Sequence, residues 1–168
     1  MASAKVSTLK GYFDTGDRPT AANFADLIET INYPYHNGFS AQTADFTAAA
    51  GYVYGCTLLS GCDVTLPTPV VGDVIKIVFG AVTSGTHSIT TDATTTLFNG
   101  YALLGDTLDG TAAQHVVFAP DGSDDDVFSM NGTTTGVSAI VELTATATNR
   151  WFAEATVLAS GAVSTPWA

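Results

Sequence analysis

From about residue 46 the chain alternates apolar and polar positions with period two, broken by turn clusters. "YVYGCTL", "DVTLP", "VIKIVFG", "HSITT", "TLFNGYALL", "QHVVFAP", "VFSMNG", "AIVELTAT" and "RWFAEATVL" read as strands, rich in the β-branched and aromatic residues that fit a pleated, half-buried surface. Between them lie "TSGT", "LDGTAA", "PDGSDDD", "NGTTTG" and "TATNR", whose Gly, Asp and Asn supply turn geometry. "VIKIVFG" is apolar except for Lys76 and reads as a central strand. Short strands at this spacing predict a mainly β fold, an antiparallel β-sandwich or jelly-roll-like domain over 46–168.

Ahead of this domain the period changes. In "YFDTGDRPTAANFADLIETI", Phe24, Leu27, Ile28 and Ile31 recur at i, i+3, i+4 and i+7, one stripe of a helix of about three turns. Pro19 suits a first helical turn, Asp17 or Thr20 can cap it, and Asn32, Pro34 and Gly38 end it. So short a helix is marginal alone in water, and its stripe must pack on something. Residues 1–45 are therefore read as an extended N-terminal arm followed by one short α-helix, serving attachment or oligomerisation.

Charge sharpens this division. The chain holds 16 acidic residues against 5 Lys plus Arg, a formal net charge of −11. Lys5, Lys10 and Arg18 lie in the arm, whereas residues 21–168 carry only Lys76 and Arg150. So acidic a surface repels nucleic-acid phosphates and anionic lipid, so neither is an expected partner. The apolar runs are too short to span a membrane, and "MASAKVSTLKGYF" lacks the continuous apolar core of a secretory signal. At 168 residues the chain can bury a core without a metal or a staple.

Concentrated chemistry is hard to find. The sequence contains no phosphate-binding P-loop, GxSxG elbow or HExxH, and His36, His87 and His115 are scattered. No catalytic residues and no cofactor are expected. Cys56 and Cys62 match no zinc pattern, which needs four ligands; they read as buried free thiols, with a disulfide as the alternative. The densest polar stretch is "DGSDDD". Asp121, Asp124, Asp125 and Asp126 are hard oxygen donors, so Ca²⁺ is conceivable there, although the spacing is not that of an EF-hand. The simpler reading is a solvated turn, in which Asp124 and Asp125 tolerate replacement by Asn. Tyr33, Tyr35 and Trp167 are candidate sugar-stacking aromatics.

The stretch "YFDTGDRPTAANFADLIETI", through Thr15, Gly16, Pro19, Thr20, Phe24, Leu27 and Ile28, resembles an N-terminal element of virion structural proteins of tailed bacteriophages, especially fibre-like and decoration proteins. "FAPDGSDDDVFSMNGTTTG" and "LTATATNRWFAEA" resemble β-domains of virion structural proteins from marine phages. Together the matches cover about half the chain. The resemblance implies a non-enzymatic, oligomeric role on a virus particle. The expectation is a capsid decoration (cement) protein at the capsid surface. Lys5, Lys10, Arg18, Phe24, Leu27 and Ile28 would contact the major capsid protein or a symmetry mate, and an acidic β-knob, a trimer, would face water. The alternative is a head- or tail-fibre module that binds a host glycan or receptor; a glycan-cleaving tail protein comes third and requires two carboxylates facing each other across a cleft.

Overall fold

The computed structural model describes Thr20, Asn23 and residues 38–81, 85–106, 115–131, 138–159 and 164–168. These hold eleven strands: β1 (Gly38–Gln42), β2 (Phe46–Thr47), β3 (Tyr52–Cys56), β4 (Asp63–Thr65), β5 (Val74–Phe79), β6 (Thr86–Thr90), β7 (Leu97–Asp106), β8 (His115–Phe118), β9 (Val127–Asn131), β10 (Ser138–Ala147) and β11 (Arg150–Ala159). The fold is mainly β, and all nine runs read as strands from the sequence are strands. β1 and β2 are additional, and β1 lies ahead of residue 46, where the period-two pattern sets in.

The strands form a large sheet, ordered β1-β3-β5-β10-β11-β7-β8, and a small one, ordered β2-β4-β6-β9. The expectation of antiparallel pairing is corrected: both sheets are mixed. β1–β3, β3–β5 and β7–β11 pair parallel in the large sheet, as do β2–β4 and β4–β6 in the small one. The reason lies in the path of the chain. From β1 to β6 it crosses to the other sheet after every strand, so each return follows a circuit and runs in the same direction as the strand before. Parallel neighbours need a crossover, and here the opposite sheet's strand serves as one. Antiparallel pairs appear where β10 enters beside β5, where β11 folds back on β10, between β7 and β8, and where β9 closes on β6.

One apolar cluster joins the two sheets. Ile75, Ile77 and Phe79 of β5, Val141 and Leu143 of β10, and Trp151 and Val157 of β11 meet Val64 of β4, Ile89 of β6 and Phe128 of β9. Alternation along the strands places them there: β5 reads half-buried then buried three times over, and β11 keeps every second residue inside. β5 sits between β3 and β10, the central position expected of it, and Lys76 points outward to pair with Glu142.

The last described residues lie along β9. Val127 and Ala168 exchange backbone hydrogen bonds of 2.8 and 3.0 Å, and Ser129 N–H donates to the Pro166 carbonyl. They cover a strand edge that would otherwise present unpaired backbone groups. Trp167 is inserted between Phe98 and Phe128, with ring centroids 5.6 and 5.0 Å away, and its Nε1 donates to the Phe118 carbonyl. It is only 6% exposed, so the reading of Trp167 as a sugar-stacking side chain is withdrawn.

Of the expected helix, Thr20 and Asn23 fall among the described residues, and Asn23 is helical. Thr20 N–H donates to Asn23 Oδ1 (2.7 Å) and Asn23 N–H donates to Thr20 Oγ1 (3.3 Å). This reciprocal pair is a capping box, with Asn23 in the place usually held by Glu or Gln. Thr20, one of the two expected caps, thus caps. The stripe residues Phe24, Leu27 and Ile28 lie outside the described residues.

Candidate functional site

The acidic turn between β8 and β9 is organised by its own backbone. Asp125 is 7% exposed. Its Oδ2 accepts from the amides of Asp121 (2.5 Å) and Gly122 (3.1 Å). Gly122 has φ +82°, a left-handed conformation that glycine adopts without strain. Asp121 Oδ1 accepts from Ser123 N–H and Oγ–H, and these donors, the hydroxyl first, hold its carboxyl below the usual carboxylate range. The Asp125 carbonyl accepts from Phe98 N–H and that of Asp126 from Thr91 N–H, which ties the turn to both sheets.

Carboxylate oxygens of Asp121, Asp124 and Asp125 come within 4.8 Å of one another, while Asp126 stands apart from that group. Two of the three carboxylates already take backbone donors. The arrangement is therefore an Asx-type turn held largely by its own backbone, with Asp121 and Asp124 exposed and Asp125 buried. The structure separates two residues that the sequence treats alike. Asp124→Ala should change stability by no more than ~0.5 kcal/mol, as an exposed turn residue does. Asp125→Ala should cost about 1–3 kcal/mol, because it strands two amide donors. Thermal melts of the two single variants check this.

Cys56 and Cys62 are free and buried, as the plainer reading expects. Burial pushes both thiols up, and the neighbouring Cys62 adds to the rise at Cys56. Cys62 Sγ also donates to the Ala44 carbonyl at 3.5 Å. Thiols held neutral in this way are poor nucleophiles and poor metal ligands. Beside Cys62 lies an open cleft of about 350 Å³, lined in part by Asp45, Asp63 and Thr86. Its two carboxylates are engaged: Asp45 Oδ1 accepts from Asp63 N–H (2.9 Å), and Asp63 Oδ1 from the Ser88 hydroxyl (2.6 Å).

His87 on β6 is the least expected residue of the interior. It is fully buried and stacks on Phe79 with centroids 4.6 Å apart. Neither ring nitrogen completes a hydrogen bond, although backbone groups of Gly80 and Cys62 lie close enough to favour the charged form a little. Burial dominates and lowers its pKa. The sign follows. The unfolded chain binds the proton more readily, so His87 costs stability as pH falls below its ordinary value of about 6.5. His87→Phe should flatten the fall in melting temperature between about pH 6.5 and 5, and should leave the pH 7 value equal or higher, because an unpaired buried polar group is removed. A signal for its burial exists in the sequence: His87 shares the strand parity of Ile89.

Lys5, Lys10 and Arg18 lie outside the described residues, as do Tyr33 and Tyr35. Of the residues singled out in the sequence, the structure brings together Asp121, Asp124 and Asp125 in one turn and Cys56 and Cys62 in one core. No protein-family model, no curated protein and no solved structure matches the chain.

Proposed function

We propose that this chain is a non-enzymatic virion structural protein, a capsid decoration protein. Its N-terminal arm binds the major capsid protein, and its two sheets form a sandwich-like acidic knob at the capsid surface, as part of a trimer. The observation that carries the reading is the segregation of charge. Lys5, Lys10 and Arg18 stand in the first 18 residues, and the remaining 14 acids face only Lys76 and Arg150. Lys76 is already committed to Glu142, and three of the four other cations, Lys5, Lys10 and Arg18, stand together in the arm, the segment best suited by charge to an acidic surface. The likeness of residues 12–31 to an N-terminal element of phage virion proteins supports the same assignment.

Purified full-length protein mixed with undecorated capsids and sedimented should bind to saturation at a fixed copy number per capsomer. The fibre-module alternative predicts no saturable capsid binding and retention on a host-glycan surface instead. It is the weaker reading, because Trp167 is taken up by the core and the Asp121 and Asp125 carboxylates take donors from their own turn.

A further inference from the structure

The outer face of the large sheet, turned away from the core, carries a largely apolar row across its width. Register places Val117 of β8 beside Leu103 of β7, then Thr156 of β11, Ile140 of β10, Val78 of β5 and Gly55 of β3. The Phe39 ring lies over Gly55, with its Cζ 2.7 Å from where a Cβ would stand. Tyr101, Phe152 and Leu158 flank this row. Among the described residues, seven of the ten large apolar side chains most open to solvent belong to this one face, from Phe39 at 69% exposed to Phe152 at 36%. A concentration of exposed apolar side chains on one face marks an interaction site.

The charges on the face identify the occupant. Both described cations, Lys76 and Arg150, share its strand parity, and so do Glu142 and Glu154. Lys76 pairs with Glu142, and the Tyr101 hydroxyl donates to Glu154 at 3.0 Å. The face is therefore formally neutral on a chain of net charge −11. Of the described aspartates, Asp45, Asp63 and Asp92 lie on or beside the small sheet and Asp121 to Asp126 in the β8–β9 turn, while Asp73 and Asp106 stand at the margin of the large sheet, at the start of β5 and the end of β7. Two copies of so acidic a chain repel each other wherever aspartates meet, and least where this face lies at the contact between them. Its size also fits. Six interstrand steps of about 4.8 Å and strands of up to about 33 Å give close to the ~800 Å² per partner of a stable interface.

We propose that the outer face of the large sheet is the surface through which copies of this chain associate. This rests on the reading of the chain as a homo-oligomer and not on its placement on a capsid. The test is light scattering on the full chain over a range of concentrations, with circular dichroism as a check of folding. Thr156→Arg puts bulk and charge in the centre of the row without removing an apolar contact, and Ile140→Glu replaces one. Each should raise the concentration at half dissociation at least about tenfold, the effect of losing one central contact. Val71→Glu, an exposed valine in the β4–β5 turn, should leave association unchanged. An oligomeric parent whose folded Thr156→Arg and Ile140→Glu variants keep its mass would overturn the assignment of the surface and leave the oligomer standing. A parent monomeric at every concentration would remove both.

Discussion

Gly100→Val should unfold the protein or lower its melting temperature by about 6–12 °C or more. Gly100 lies mid-strand in β7, paired in parallel with Ala153 of β11, at φ +116°. A Cβ there would stand 2.0 Å from the Ala153 carbonyl oxygen and 2.8 Å from its carbonyl carbon. These are backbone atoms of a neighbouring strand, so no side-chain rotation relieves the overlap. The left-handed conformation alone costs an L-residue roughly 1–2 kcal/mol, more for a β-branched one. With the displacement of β11, which carries the fully buried Trp151, the total should be at least about 3 kcal/mol. Against a typical stability of about 5–15 kcal/mol that is a large fraction, and at about 2–4 °C per kcal/mol it gives the shift stated. Chemical denaturation and thermal melts read it directly. A melt within about 2 °C of the parent would mean that β7 does not approach β11 this closely.

Removal of residues 1–18 should weaken capsid attachment at least about tenfold while the sheets stay folded. Folding should survive because every strand among the described residues begins at or after Gly38, so none of these strand pairings is lost. Attachment should fail because the deletion takes Lys5, Lys10 and Arg18 from a chain whose remainder carries 14 acids against two cations. Without them an acidic capsid surface and an acidic knob simply repel. Exposed ion pairs are screened over about 8–10 Å at ordinary ionic strength, so binding of the full chain should also fall as salt rises. Co-sedimentation of the two proteins at low and high salt separates the outcomes. Equal binding by both would move the docking surface onto the sheets.

The strands were legible because their side chains obey period two, and "VIKIVFG" was legible as central because both its faces are apolar. β1, "GFSAQ", was not: Gly, Ser and Gln carry weak strand preference, and Phe39 alone marks it. β2 has two residues, too few for any period. Parallel pairing left no trace, since alternation records which face is buried and not which way the neighbour runs. The acidic turn was legible as a turn. The burial of Asp125 was not, because it depends on where the amides of Asp121 and Gly122 point. The apolar outer face had a visible signature in the consecutive apolar residues of "HVVF" and "AIV", where strict alternation calls for a polar one. That signature says that both faces of a strand are covered, and only the register shows that the uncovered positions line up across the sheet.

The most direct measurement of the central claim is a reconstruction of capsids saturated with the purified protein. The account predicts stoichiometric density for the two-sheet body on the outer capsid surface, its β1 end nearest the shell, where the N-terminal arm enters the major capsid protein. Density confined to a tail or fibre, or capsids indistinguishable from undecorated ones, would contradict it.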